Sequence, residues 1–267
     1  MEIFAYDFMR RAFAAGLLIA LTCPVIGTFL VVRRQALIGD GLGHIAFAGV
    51  CGGWLMGWQP VLSAAVFTTL GAVAIEKVRS VRSDFTEMVL AIFFYAGMAL
   101  AIILASLENS GGISLTSFLF GSVVTVGETD IYIIAAMGGL TLLAVLVFYR
   151  QLVYLSFDEQ AARVSGLNVG RLNMLISVLT ALTIAVSMRI VGLLLVSAMM
   201  VIPVACALPW RQGFGRTMLI AVVMAVVCVI TGLFLSYYAN LAPGGAIVLT
   251  AAVLCAVNEF ASRGLLN

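Results

Sequence analysis

In the stretch LIGDGLGHIAFAGV, Leu37 to Val50, an aspartate and the chain's single histidine stand four residues apart in an otherwise apolar run. Residues i and i+4 of a helix share a face, so Asp40 and His44 lie one turn apart on the same side. An aspartate at membrane depth costs about 3 kcal/mol on insertion scales, so the pair must face protein or water rather than lipid. Two chemistries fit it. A buried Asp–His hydrogen bond would tie two helices together. Alternatively, carboxylate and imidazole make a cation site suited to first-row divalent metals and less suited to Mg2+. Two donors are too few for the closed tetrahedral site of structural zinc, but they suit a stop on a pathway from which the ion must leave. A twofold dimer with that pathway on its axis would bring two such pairs together and supply four donors.

The composition says what must hold the pair. Of 267 residues, 63% are hydrophobic and 10% charged, with a mean hydropathy of +1.18; a soluble domain carries about a quarter charged residues. Apolar runs long enough to span a bilayer recur from end to end, and the short alternating segments of a β-barrel do not. The expected fold is all-α, one polytopic membrane domain over residues 1–267, with about nine transmembrane helices. The expected spans are 12–32, 39–57, 60–78, 86–107, 130–149, 172–189, 191–209, 216–238 and 244–262. Pro60 and Pro243 mark helix starts and Pro209 an end, while Pro24 and Pro203 fall inside spans as tolerated kinks. ISLTSFLFGSVVTV (113–126) is too short to cross and reads as a re-entrant or interfacial helix. The start, MEIFAYDFMRR, lacks the basic n-region of a secretory signal, so the first span is expected to be kept.

With the N-terminus outside and the C-terminus inside, eleven of the fourteen basic residues fall on the inner side and only Arg10, Arg11 and Arg189 on the outer, a strong positive-inside bias. The five cysteines, Cys23, Cys51, Cys206, Cys228 and Cys255, have no metal-ligand spacing and read as buried small hydrophobes. Ser177, Ser187 and Ser197 sit in no nucleophile motif and read as helix-packing residues. GDGLGH neither follows a strand nor opens a βαβ unit, so it is not a phosphate loop. Gly49, Gly53 and Gly57, at i, i+4 and i+8, read instead as a small-residue face for close helix packing.

The largest inner loop holds SFDEQAARVSGLNVGR. Ser156 as N-cap with Glu159 at N3 fits a capping box, and Gly166 is a good C′ residue, which together describe a short helix of about nine residues outside the membrane. Such a helix is a solvated connector or a handle for a motor subunit. Any motor would be a second chain, since no GxxxxGK[ST] loop occurs and Lys77 is the only lysine. An enzyme is not expected: there is no HExxH, and one histidine builds no His-rich catalytic metal site.

VVRRQALIGDGLGHIAFAGV, FLFGSVVTVGETD, SFDEQAARVSGLNV, RIVGLLLVSAMMVIPVACA and LAPGGAIVL, taken in order along the chain, resemble the signatures of the ABC-3 metal-uptake permeases, the membrane subunits of zinc and manganese ABC importers. The resemblance implies that Asp40 and His44 line the metal pathway. It implies that the helix at about 156–166, with Asp158, Glu159, Ala161, Arg163 and Gly166, is a coupling helix that docks in an ATPase subunit. Where the zinc permeases carry an aspartate before the last helix, this chain has Asn240, a weaker and uncharged contact to the ion. The implied partners are an ATP-binding cassette subunit, an extracytoplasmic metal-binding protein, a second permease in a homodimer and membrane lipid, with no nucleic acid. The transported ion would be Zn2+ first and Mn2+ second, with iron left open, with no cofactor held permanently, in a bacterial plasma (inner) membrane. The alternative is a secondary metal transporter driven by an ion gradient, which would need no 156–166 helix; the chain also shows no clear pair of broken half-helices.

Overall fold

The computed structural model describes residues 6–81, 85–107, 115–122 and 126–266. The described residues form helices α1 (Asp7–Val32), α2 (Ile38–Leu55), α3 (Pro60–Val81), α4 (Thr86–Leu107), α5 (Leu115–Phe120), α6 (Glu128–Phe157), α7 (Glu159–Val164), α8 (Val169–Ser187), α9 (Leu193–Ala207), α10 (Phe214–Ala239) and α11 (Pro243–Leu266). A 3-10 turn, Leu208–Trp210, follows α9.

Among the described residues, six helices, α1, α3, α4, α6, α8 and α10, are long and apolar enough to cross a membrane. The count of about nine spans read from the sequence is not confirmed by this standard. Two of the other helices fall short for separate reasons. Asp40, His44 and six glycines dilute α2. The positive φ of +88° at Gly192 delays α9, leaving it 15 residues.

α1 is the central post: it packs on α6, α8, α9 and α10 and is buried along most of its length. α2 lies in a second layer between α3, α4, α8 and α9. The outer helices expose apolar side chains, among them Ile92, Tyr95 and Ile102 of α4 and Leu143, Leu146 and Val147 of α6. In water such faces would aggregate; in a bilayer they are the lipid surface. Most buried threonines and serines return their hydroxyls to carbonyls four residues back, as Thr28 does to Pro24 (2.7 Å) and Thr180 to Ile176 (2.7 Å), so these add no unsatisfied donors.

Close approach is set by glycine. A Cβ on Gly49 would stand 2.8 Å from Phe67 Cβ and 2.9 Å from Ala64 Cα of α3, and one on Gly53 would stand 2.5 Å from Ser63 Cβ. Gly57 differs from its sequence reading: it has open space around it and a φ of +68°, and it ends α2 rather than packing it. Its amide donates to Trp54 O (3.0 Å) and that of Trp58 to Gly53 O (2.7 Å), the C-terminal motif that selects glycine. Gly57→Ala should therefore cost about 1 kcal/mol through the backbone, while Gly49→Ala should cost about 1–3 kcal/mol through overpacking. Thermal unfolding of the two purified variants compares them; a Gly57→Ala loss as large as that of Gly49→Ala would contradict the turn assignment.

The short external helix also departs from its reading. α6 continues through Phe157, burying Leu152, Leu155 and Ser156, and Ser156 Oγ donates to Leu152 O (2.7 Å) instead of capping a helix. The break comes at Asp158, whose Oδ1 accepts from the Ala161 amide (2.8 Å) as N-cap of α7. α7 is thus six residues long, not nine. It closes at Gly166, with a φ of +82°, where the Leu167 amide reaches Ala162 O (3.1 Å).

Of segment 113–126, the described part is α5, the two residues after it and Val126, with Phe118 buried against Trp54 at 5.2 Å between ring centroids. Six helical residues extend about 9 Å, too little to cross. Gly121, Gly192 and Gly244 let α5, α9 and the start of α11 touch backbone to backbone: a Cβ on any of them would fall on a carbonyl or amide of the neighbouring segment.

Candidate metal site

Asp40 occupies the first turn of α2, where the helix dipole favours a carboxylate. Its Oδ1 accepts a hydrogen bond from Ser197 Oγ of α9. One turn on, the His44 imidazole meets the Phe94 ring of α4 edge to face, 4.5 Å between centroids. Both side chains are half-buried. Asp40, Glu87, Phe94 and Tyr95 help to line a pocket of about 170 Å³ between α2 and α4.

The glycines of GDGLGH have a job here that is steric. A Cβ on Gly39 would stand 3.1 Å from Ser197 Cβ, and one on Gly43 2.8 Å from Leu193 Cδ1, so α9 approaches α2 closely enough for Ser197 to reach Asp40. On the other side, Gly97 of α4 sits against Ile45 and the His44 backbone. Ser197 therefore binds the key carboxylate rather than only packing. Its partner lies 157 residues away, so no local spacing could have shown this.

The pair supplies one oxygen donor group and one nitrogen donor. Among the described residues no group of three or more His, Cys, Asp or Glu gathers to hold a metal ion. Two donors bind a divalent ion weakly unless water, a second chain or another conformation completes the shell.

Asn240 is not brought to this pair. It caps the C-terminus of α10 at a φ of +51°, is exposed, and lines a separate pocket of about 620 Å³ with Phe8, Met9, Ser122 and Tyr237. That pocket lies at the start of α1, whereas Asp40 follows its end, a 26-residue helix away, or about 39 Å. The left-handed backbone gives the asparagine a local reason of its own, since Asn tolerates that conformation better than most residues.

Two buried charge clusters were missed in the sequence. At the end of the bundle that carries α7, Arg33 Nη2 donates to Asn173 Oδ1 of α8 (2.6 Å) and stands 3.7 Å from Glu159 Oε2 of α7. Beside it, Arg79 pairs with Glu76 (3.2 Å), which accepts from Ser177 Oγ (3.1 Å). Glu76, Arg79, Glu159, Arg163 and Asn173 help to line a cavity of about 350 Å³. Burial, and then repulsion from Arg79, holds the Arg33 guanidinium below its ordinary pKa, partly offset by Glu159 and Glu76.

At the opposite end, buried Asp130 accepts from Gln59 Nε2 (2.9 Å), the Gly127 amide (3.0 Å) and Arg189 Nε (3.1 Å). Arg189 also lies over the Phe118 ring at 4.8 Å, and Arg11 pairs with Glu128 at 2.7 Å. These contacts fasten α5, α6 and the α8–α9 connection to one another. Charges at predicted span ends were the available signal, but their partners were not.

The family model of the ABC 3 transport family matches residues 5–261. The chain belongs to this family. The ABC-3 permease is 39% identical over 251 residues to a probable metal transport system membrane protein of Treponema pallidum (strain Nichols), covering 93% of each chain. It is 30% identical over 261 residues to the manganese transport system membrane protein MntC of Halalkalibacterium halodurans, covering 98% of this chain and 89% of the relative. It is 27% identical over 255 residues to the high-affinity zinc uptake system membrane protein ZnuB of Haemophilus influenzae, covering 96% and 98%. Among solved structures, PsaBC from Streptococcus pneumoniae in complex with Fab matches with a TM-score of 0.87 at 28% identity, covering 96% of this chain and 92% of that one. The permease is thus a multi-pass protein of a bacterial membrane and a transport subunit of the ABC type.

Proposed function

We propose that this permease works as a homodimer with two ATP-binding cassette subunits and imports a divalent metal ion handed over by an extracytoplasmic binding protein. The observation that carries this reading is the Asp40–His44 pair, one carboxylate and one imidazole on one face of α2, with the carboxylate lining a pocket. Relatives named for manganese and for zinc support a first-row cargo. The donor pair favours zinc over manganese, because imidazole suits zinc and the general affinity order places manganese lowest. In a homodimer with the pathway on its twofold axis, two such pairs would face each other across it. The ion is cargo in this reading, and the permease itself holds no cofactor.

The ATPase acts through α7, the coupling helix, with Asp158 capping it, Ala161 donating its amide to that cap, Glu159 and Arg163 paired on its surface (3.6 Å) and Gly166 closing it. Val164, at its end, is 89% exposed and ready to be covered by a partner. Val164→Cys is expected to cross-link to a cysteine placed in the docking groove of the ATPase subunit, in membranes containing the whole transporter. The native thiols give little background, since Cys23, Cys51, Cys206 and Cys228 are buried and Cys255 half-buried. A control cysteine at Leu143, on the lipid-facing side of α6, should not cross-link. Absence of any cross-link from α7 would overturn its role as the coupling helix.

A further inference from the structure

We propose that Arg33 is the positioning residue through which α7 acts on the metal pair. This rests on the coupling role given to α7 above. Arg33 ends α1 and its side chain is only 5% exposed. It touches two other helices: Asn173 of α8 through a short hydrogen bond and Glu159 of α7 through an ion pair.

α1 in turn bears on α9. A Cβ on Gly27 would fall on the Met200 carbonyl, so the two backbones are in contact and α1 cannot shift lengthwise without moving α9. Three residues before Met200, Ser197 donates its hydroxyl to Asp40. Glu159, Arg33, Gly27, Met200, Ser197 and Asp40 thus form one unbroken route from the docking helix to the carboxylate that meets the ion.

The Arg33 contact is suited to switching because its charge is incompletely answered. Its Nη1 is buried without a hydrogen-bond partner, as is Nη1 of Arg79. The groups facing it are one neutral amide, the carboxylates of Glu159 and Glu76, and the like charge of Arg79. Glu159 also divides its attraction, with Arg163 at 3.6 Å. Inside protein, an ion pair of this length changes strength steeply with distance. A small movement of α7 toward or away from Arg33 therefore alters the hold on α1 more than the same movement of an exposed pair would.

The test uses the complete transporter in liposomes, with zinc or manganese as cargo, and reads ions moved per ATP hydrolysed. Arg33→Met and Glu159→Gln should each lower that ratio at least five-fold. The double variant should fall no more than two-fold below the lower single one, because both remove the same link. Arg33→Lys, which keeps the charge, should recover to within two-fold of wild type. Ratios within two-fold of wild type in both single variants, or losses that multiply in the double, overturn the proposal. Should Arg33→Met fail to assemble, Glu159→Gln decides alone, since its carboxylate is 46% exposed and its amide is well tolerated there. The Val164→Cys cross-link, made in the same preparations, separates the two levels. A cross-link with an unchanged ratio overturns the part played by Arg33 and leaves the docking of α7 standing, while no cross-link overturns both.

Discussion

His44→Ala is expected to lower metal uptake by the assembled transporter at least ten-fold, about 1.4 kcal/mol or more, at an unchanged amount of folded permease. The imidazole is half-buried and its one ring contact is the edge of Phe94, so its loss leaves a small gap rather than a collapsed core. What it removes is the only nitrogen donor of the pair. Asp40→Asn is the sharper companion. The amide keeps the shape and still accepts from Ser197 Oγ, but it surrenders the charge that offsets a divalent cation's loss of water. The same ten-fold loss is expected. Uptake of radioactive zinc and manganese, supplied separately and normalised to surface permease, makes the measurement. The ion whose uptake collapses is named as cargo. Wild-type uptake by both variants would send His44 back to a packing role against Phe94.

Gly192→Ala is expected to destabilise the permease by roughly 4 kcal/mol, combining about 1–3 for backbone strain and about 1–3 for overpacking. With φ 88° and ψ 153°, Gly192 occupies a region that is essentially restricted to glycine. A methyl group there would also stand 2.5 Å from the Phe120 carbonyl carbon and 2.6 Å from Leu119 O, both backbone atoms that cannot swing aside. The comparison is Gly139→Ala on α6, where nothing lies within 4 Å and alanine is the better helix former. Detergent-solubilised variants followed by size-exclusion after heating should show a large drop in melting temperature for the first and none for the second. Equal melting would mean that α5 does not seat against α9 as described.

What could be read from the sequence was what depends on neighbours along the chain. Apolar runs located the long helices, Pro60 and Pro243 marked starts that the structure keeps, and the four-residue spacing put Asp40 and His44 on one helix. Gly166 was legible because its role is set within three residues. Ser156 was misread because the capping pattern recurs at Asp158, and burial of Leu152 and Leu155 carried α6 past the first candidate. The buried contacts that organise the two ends were invisible for a different reason. Arg33 and Asn173 are 140 residues apart, and Glu76 and Ser177 are 101 apart, so only the packing of distant helices brings them together. Gly27, Gly192 and Gly244 carry no spacing signal either, since each answers to a backbone from another part of the chain.

The length of α6 has a consequence for the lipid around the permease. Thirty continuous residues make a rod of about 45 Å, against a hydrocarbon slab of about 30 Å and a full bilayer of about 40–45 Å. One end of the rod carries Glu128 and the other leads directly into α7. A single stiff element therefore runs from one water boundary to the other and fixes how far α7 stands above the headgroups. Acyl-chain length thereby becomes a mechanical variable: a thicker bilayer draws α7 down among the headgroups, and a thinner one lifts it clear.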